Sequence, residues 1–313
     1  MKKILIYIVF VLTSMSMQSM AEETTYSLRG NNGKEITYYL IKRNSIPSEN
    51  LLVLIQGSDC NSVINNRKMI ENFGATFPEN DILLVEKAGL DSSIGKNGIE
   101  VNDSACPQIY IQNDSPSKRV KDYLAVLNQL KNKYRHIVLI GGSEGALVTN
   151  MIASDADFIT AAISINGGGR FFIDDVIHSI RRETPAEMSD EAVNSFRTFA
   201  EAAKKNNLPA GMVVSGHGAN WWYESLSIDN QRLIQSSKIP LLVIQCMSDN
   251  NTDAAGILKV MAAIDNPKVS FKTYDGLDHF FKDNDGNYHA AIITKDIKNW
   301  YQLQSKGAVE NSN

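Results

Sequence analysis

Short apolar runs alternate with helical patterns along most of the chain. The runs that predict strands lie at 36–43, 51–57, 81–87, 136–140, 158–165, 240–246 and 269–274. Helices are predicted over 115–134, 144–154 and 253–264, followed by a closing helix that carries Ile293, Ile297 and Trp300 on one side. Strands this apolar are buried on both faces, so the pattern predicts an α/β fold with a mostly parallel central sheet flanked by helices.

One stretch breaks this alternation. Residues 167–237 have helical spacing, which is best over 189–205, and no clear strand. A structureless loop of about seventy residues is implausible inside a compact domain. We therefore expect a helical cap at 167–237, inserted into a core formed by 22–166 and 238–313.

The N-terminus has the pattern of an export signal. Lys2 and Lys3 precede an apolar run at 4–12, and Ser19-Met20-Ala21 fits a signal-peptidase site. The run is too short to span a bilayer. We expect cleavage after Ala21 and a periplasmic or secreted protein without stable membrane insertion.

Composition adds limits on partners and redox state. The chain is 43% hydrophobic and 21% charged, as in ordinary globular proteins. Loss of residues 1–21 removes two lysines and no acid, so the formal charge of −4 becomes more negative by two, which excludes nucleic acid as a partner. Three cysteines permit one internal disulfide after export. Because Cys246 ends an apolar run, Cys60 and Cys106 are the favoured pair.

A candidate nucleophile lies where a predicted strand meets a predicted helix. Gly141-Gly142-Ser143-Glu144-Gly145 is a G-x-S-x-G sequence in the strand-to-helix context that exposes a serine hydroxyl on a sharp turn. Gly141 and Gly145 leave room for the backbone to cross there. The alternative is a tight turn with a serine at the start of the helix. The context favours Ser143 as a nucleophile.

Ser143 needs a base, and His279 has the best setting. It follows the last predicted strand, at the carboxyl edge of the sheet where catalytic groups converge. His178 and His217 fall in the predicted cap, and His289 opens the closing helix.

The acid that orients this base should follow the preceding strand. Asp249 ends the segment after the run at 240–246. Asp253 is the rival, although a carboxylate at the start of a helix has its own explanation there.

An oxyanion formed at Ser143 requires two backbone N–H donors. One belongs to Glu144, the residue after the nucleophile. The other belongs to Ser58, which follows Gln56-Gly57 at the end of an early strand. A cystine from Cys60 would fix this loop.

Together these residues resemble the α/β-hydrolase family across residues 22–313. The Gly-Gly-Ser-Glu-Gly turn is similar to that of esterases and of peptidases related to the prolyl oligopeptidases. The resemblance implies an α/β-hydrolase fold in which the cap is an insertion. The chain departs from many members at Gln56, where a histidine is common, and at Cys246, where glycine is common.

No other motif in the sequence indicates a bound group, and we expect no cofactor and no metal. The stretch 283–287 resembles a calcium loop, but Phe281 and Ile292 occupy positions that need acidic ligands. Trp221 and Trp222 belong either to the cap core or to the wall of an apolar acyl pocket above Ser143.

The sequence therefore predicts an exported serine hydrolase with a small-molecule ester as substrate. In this hypothesis Ser143, His279 and Asp249 form the triad and an acyl-enzyme is the intermediate. A serine peptidase acting on short peptides uses the same groups, and thioester cleavage and acyl transfer stay open. A binding protein that retains the fold is the third hypothesis.

Overall fold

The computed structural model describes residues 22–30, 33–44, 46–96, 99, 101–209 and 211–310. The predicted signal at 1–21 lies outside these residues. Ten strands are described: β1 (Glu22–Arg29), β2 (Glu35–Lys42), β3 (Asn50–Ile55), β4 (Asp81–Val85), β5 (His136–Gly142), β6 (Ala161–Ile165), β7 (Val213–Val214), β8 (His217–Gly218), β9 (Leu241–Cys246) and β10 (Val269–Tyr274).

Eight of these strands form the central sheet, in the order β1-β2-β4-β3-β5-β6-β9-β10. The pairs β1·β2 and β2·β4 are antiparallel. All pairs from β4 to β10 are parallel. The predicted mostly parallel α/β sheet is confirmed, and the carboxyl ends of β3, β5, β6, β9 and β10 share one edge.

Ten α-helices surround or cap the sheet: α1 (Arg67–Gly74), α2 (Gln108–Asn113), α3 (Pro116–Leu130), α4 (Glu144–Asp155), α5 (Phe172–Glu183), α6 (Ala186–Lys204), α7 (Ala219–Ser227), α8 (Asn230–Gln235), α9 (Ala254–Ala262) and α10 (Ala290–Glu310). Ser115 caps α3 by accepting from the Lys118 N–H, with Pro116 in the first turn. In the part of the chain that the structure describes, no helix combines the length and apolarity needed to cross a bilayer.

The sheet is covered on both faces. Side chains of α3, α4 and α9 join one buried apolar cluster, which includes Tyr123, Val148 and Ile257. Side chains of α1 and α10 join a second cluster, which includes Phe73 and Ile293. Adjacent strand residues contribute to opposite clusters, which explains why the strands read as continuous apolar runs.

Residues 167–237 contain the four helices α5 to α8 and pack around an aromatic cluster of their own. The expectation that this stretch lacks strands was wrong in one detail. Strands β7 and β8 form a two-stranded antiparallel hairpin. Its strands have two residues each, too short for a periodic pattern to reveal.

Outside residues 167–237, three described elements have no counterpart in the sequence pattern. Strand β1 is a mostly exposed edge strand, so its polar sequence lacks apolar alternation. Helices α1 and α2 have eight and six residues. The predicted strands 51–57 and 81–87 each extended two residues too far at the carboxyl end, because β3 ends at Ile55 and β4 at Val85. The residues just beyond these ends, Gly57 and Lys87, lie at the carboxyl edge of the sheet. The predicted strand 158–165 began three residues before β6 does.

Candidate active site

Ser143 occupies the sharp turn between β5 and α4. Its backbone adopts φ 56° and ψ −124°, a strained conformation typical of functional turns. The Ser143 N–H donates to Ile165 O at 2.9 Å. Glycine is required on both sides, because a Cβ on Gly141 would lie 2.1 Å from Gly145 O and one on Gly145 would lie 2.2 Å from Ile55 O.

His279 and Asp249 are brought together at the same edge of the sheet. His279 Nδ1 lies 2.7 Å from Asp249 Oδ2. The Asp249 carboxylate also accepts from the Asn251 N–H at 2.7 Å, and from the Thr252 N–H at 3.0 Å and hydroxyl at 2.8 Å. Gln245 Nε2 adds a donor at 3.3 Å. These donors hold a buried carboxylate in one orientation toward His279.

The charge state of this pair follows from its surroundings. Burial alone raises the pKa of Asp249, but the hydrogen bond and charge of His279, with the Thr252 and Asn251 donors, hold that pKa below its usual value. An ionised Asp249 fixes the proton of His279 on Nδ1, which leaves Nε2 as an acceptor. Such a histidine is equipped to take a proton from a hydroxyl.

The remaining candidate bases and acids have other partners. Asp253 stands at the N-terminus of α9, where its own N–H donates to the Asp175 carboxylate at 2.8 Å. His289 pairs with Asp283 at 2.8 Å. His178, on α5, places Nε2 3.3 Å from the backbone oxygen of Asp249 and does not contact its carboxylate.

Asn166 ties the acid and base loops together, and sequence reasoning missed it. Its Nδ2 donates to His279 O at 3.1 Å, and its Oδ1 accepts from the Cys246 N–H at 2.8 Å. Asn166 follows β6 with φ 51°, a left-handed conformation that asparagine tolerates better than most residues. The sequence feature that could have identified Asn166 is its place directly after an apolar strand.

The two expected oxyanion donors are not used in hydrogen bonds within the described part of the protein. Within the described ranges, no hydrogen bond uses the N–H of Ser58 or Glu144. The Glu144 carboxylate pairs with Arg119 at 3.0 Å. Burial alone raises the pKa of Glu144, but Arg119 and Lys87 outweigh it and lower the pKa.

The segment around Ser58 is held by hydrogen bonds of Gln56 and by a disulfide. Gln56 is buried, donates from Nε2 to Asn61 O at 2.9 Å, and accepts at its backbone oxygen from Arg119 Nη2 at 2.7 Å. Cys60 and Cys106 form a disulfide with a Cα–Cα distance of 5.7 Å, the pair that the sequence favours. It joins the loop to the segment that precedes α2.

A cavity of about 530 Å³ separates the sheet edge from the cap. Ser58, Ser143 and Glu144 line its floor side, and Phe172, Trp221, Trp222, Leu147 and Ile180 supply apolar surface. Trp222 is anchored by a bond from Nε1 to Val214 O at 3.1 Å. Trp221 and Trp222 are thus both cap core and cavity wall.

Polar groups give this cavity an acidic character. Asp59, Asp103 and Glu183 line it and are exposed. Of the lining residues that the structure describes, Arg170 is the one permanent cation, and it is paired with Asp229 at 2.7 Å.

His217 lines the same cavity as an uncharged ring. Burial lowers its pKa to about 4. It stacks on Trp221 with 3.7 Å between ring centroids and places Nδ1 3.3 Å from the Tyr110 hydroxyl. No group of three His, Cys, Asp or Glu within the described ranges is placed to hold a metal ion.

Comparison with known proteins identifies one family model that matches part of the chain. Residues 121–265 match the family model described as BAAT / Acyl-CoA thioester hydrolase C terminal. The matched span is somewhat under half of the chain and includes Ser143 and Asp249 but not His279. No curated protein sequence matches significantly.

Several solved structures share the fold. Est1E from Butyrivibrio proteoclasticus is 16% identical with a TM-score of 0.56, over 90% of this chain and 99% of that one. The Pyrococcus furiosus esterase Pf2001 is 15% identical with a TM-score of 0.54, over 91% and 89%. A puromycin-hydrolyzing peptidase from Mycobacterium tuberculosis is 14% identical with a TM-score of 0.55, over 91% of this chain and 40% of that one. Together with the sheet order and flanking helices, these likenesses show that the chain has the α/β-hydrolase fold.

Proposed function

We propose that the chain is a serine hydrolase that cleaves carboxylic esters of uncharged small molecules through an acyl-enzyme on Ser143. The observation that carries this proposal is the combination of strained Ser143 at the cavity floor with the His279–Asp249 pair at the same sheet edge. A binding protein has no need for either the strained backbone of Ser143 or the buried hydrogen bond between His279 and Asp249.

The chemistry follows from these groups. Ser143 Oγ attacks the ester carbonyl carbon while its proton passes to His279 Nε2. The Ser58 and Glu144 N–H groups stabilise the negative charge on the carbonyl oxygen. The carbonyl–alcohol bond then breaks, and the alcohol leaves with the proton from His279. Water then attacks the acyl-enzyme carbonyl carbon as its proton passes to His279 Nε2. The bond between the carbonyl carbon and Ser143 Oγ breaks, His279 returns the proton to Ser143 Oγ, and the acid is released.

Labelling with a fluorophosphonate tests this proposal. The probe forms a covalent bond with an activated serine, so we expect one adduct on the peptide that contains Ser143 and loss of 4-nitrophenyl butyrate hydrolysis in proportion to labelling. Ser143→Ala should abolish both while Ser179→Ala, a second serine of the cavity lining, retains labelling at Ser143. Labelling that persists in Ser143→Ala would overturn the proposal.

The cavity charge bears on the choice of substrate. Coenzyme A carries several phosphate charges, and Asp59, Asp103 and Glu183 would repel them, since Arg170 is already paired. This favours uncharged esters over the acyl-CoA thioesters named by the matching family model.

A peptidase is the second candidate, because Glu183 in the cavity lining offers an anion for a peptide N-terminus. Turnover of an aminoacyl 4-nitroanilide at a rate comparable with the matched ester would favour the peptidase. Turnover of the ester alone would favour the esterase.

We also propose that the protein is exported. The N-terminal pattern at 1–21 and the Cys60–Cys106 disulfide both support an oxidising destination. The full chain can be expressed in a Gram-negative host and the periplasmic fraction analysed by mass spectrometry. Cleavage after Ala21 should give a periplasmic protein that begins at Glu22. An intact Met1 in the cytoplasm would contradict this proposal.

A further inference from the structure

Lys87 lies buried beneath the loop that carries the oxyanion donor. It is 2% exposed, and its Nζ donates to Gly57 O at 2.6 Å and to Asp59 O at 2.6 Å. A buried ammonium is costly unless its donors are satisfied. The Lys87 ammonium group therefore needs these two carbonyl oxygens as acceptors, and the bonds to them hold it against the loop.

The direction of one of these bonds matters for Ser58. No peptide bond in the described residues is cis, so the Ser58 N–H points opposite to the Gly57 C=O within one plane. A Cβ on Gly57 would lie 3.5 Å from the Ser143 Cβ, so this peptide lies against the nucleophile. With the Gly57 oxygen bound to Lys87, the Ser58 N–H is turned to the opposite side.

Two neighbouring bonds do not have this effect. Arg119 Nη2 donates to Gln56 O at 2.7 Å, and the Tyr110 hydroxyl donates to Ser58 O at 3.0 Å. These carbonyls belong to the peptides whose N–H groups are those of Gly57 and Asp59. Lys87 alone of the three binds the peptide that contains the Ser58 N–H.

We propose that Lys87 is a positioning residue that aims and polarises the Ser58 amide as an oxyanion donor. The inference rests on the proposed function. A cation on the carbonyl end of a peptide also strengthens its N–H as a donor, because hydrogen bonds in a chain polarise one another. Lys87 therefore acts on the transition state through Ser58 and makes no contact with substrate itself.

Lys87→Met tests this role, since it keeps the length of the side chain and removes the donor. We expect kcat for 4-nitrophenyl butyrate to fall roughly 10- to 100-fold with KM changed less than about threefold. The affinity for an alkyl boronic acid, which forms a tetrahedral anion on the serine, should weaken by a similar factor. Rates are to be divided by the active fraction from fluorophosphonate titration.

Lys238→Met is the matched control. Lys238 Nζ also donates to a backbone oxygen, that of Asp155, at 2.6 Å, but it lies beyond the amino end of β9, at the opposite edge of the sheet. This variant should leave kcat and boronic acid affinity within about twofold of wild type. If Lys87→Met does not fold, Lys87→Gln and Lys87→Arg replace it, and in both variants kcat and boronic acid affinity should fall together.

A double-mutant cycle separates positioning from general destabilisation. Ser58→Pro removes the N–H itself. If Lys87 acts through that N–H, Lys87→Met should change kcat less than about threefold in the Ser58→Pro background. Unchanged boronic acid affinity in a folded Lys87 variant, with wild-type hydrolysis through Ser143 intact, would overturn this inference alone. Absence of labelling at Ser143 in wild type would instead refute the proposed function.

Discussion

His279 Nδ1 lies 2.7 Å from Asp249 Oδ2, and Asp249 is almost completely buried. The residues come from loops after neighbouring parallel strands β9 and β10. The pair therefore depends on the sheet register for its alignment and on local donors for the orientation of the carboxylate.

Asp249→Asn should lower kcat by roughly 10³- to 10⁴-fold with little change in fold. An asparagine amide that donates to Nδ1 forces the His279 proton onto Nε2, which then cannot accept from Ser143. Steady-state hydrolysis of 4-nitrophenyl butyrate measures the loss. Asp253→Asn, four residues away at the start of α9, should retain activity within about twofold. Equal losses in the two variants would contradict the assignment of Asp249.

Gly145→Ala should destabilise the protein by at least about 2 kcal/mol, because overpacking against backbone has no cheap relief. The new Cβ would meet Ile55 O at 2.2 Å, whereas the nearest atom to a Cβ on Gly142 is Ile165 O at 4.0 Å. Gly142→Ala is therefore the control, with an expected change within about 1 kcal/mol. Urea unfolding gives both values, and comparable stability of the two variants would count against close backbone packing at this turn.

The residues at strand ends were predictable because the apolar runs marked the strands. Ser143, Asp249 and His279 each follow a run, and parallel strands bring their carboxyl ends to one edge. The sequence could not supply which side chains support them. Lys87 ends the predicted strand at 81–87 and reads as its polar end, yet it is buried.

Arg119 shows the same limit on a helix. The periodicity of α3 indicated which apolar residues face the sheet, but Arg119 is 3% exposed and binds Gln56 and Glu144. A long cationic side chain usually extends to solvent. Its burial depends on acceptors that are distant in sequence, one after β3 and one at the start of α4, and local spacing carries no information about such partners.

Removal of the disulfide by Cys60→Ser/Cys106→Ser should lower the free energy of unfolding. The cysteines are 46 residues apart, for which the chain-entropy argument gives about 4 kcal/mol. Wild type should lose a similar amount in dithiothreitol, and the double variant should not respond. Cys246→Ala, which leaves the disulfide intact, should respond to dithiothreitol as wild type does. A double variant as stable as wild type would contradict this prediction.

Asp175 should make the stability depend on pH. Burial raises its pKa from 3.8 to about 7, although it accepts from the N–H groups of Gly169 and Asp253. Between these values the folded state holds a proton that the unfolded state has lost, so stability falls as pH rises, by up to about 1.4 kcal/mol per pH unit.

Asp175→Asn keeps an acceptor oxygen and cannot ionise, so it should flatten this slope. Urea unfolding of both proteins between about pH 4.5 and 6.5 gives their free energies of unfolding. The stability of the variant relative to wild type should increase as pH rises. Asp174→Asn, at the adjacent position of α5, is the control. Parallel slopes for wild type and Asp175→Asn would show that Asp175 does not retain its proton.

The charge of the cavity should discriminate between two thioesters with the same acyl chain. Butyryl-CoA is anionic, whereas butyryl-N-acetylcysteamine presents the same reacting carbonyl and sulfur without phosphate. With Asp59 and Asp103 in the lining, we expect kcat/KM to be at least about tenfold higher for the uncharged thioester at low salt.

Added salt should reduce this difference in kcat/KM between the two thioesters, because screening weakens repulsion between exposed charges. The double variant Asp59→Asn/Asp103→Asn should reduce the difference in kcat/KM at low salt. Its kcat/KM for the uncharged thioester should stay close to that of wild type. Faster turnover of butyryl-CoA would instead place the protein with the acyl-CoA thioester hydrolases and would require a cationic surface outside this cavity.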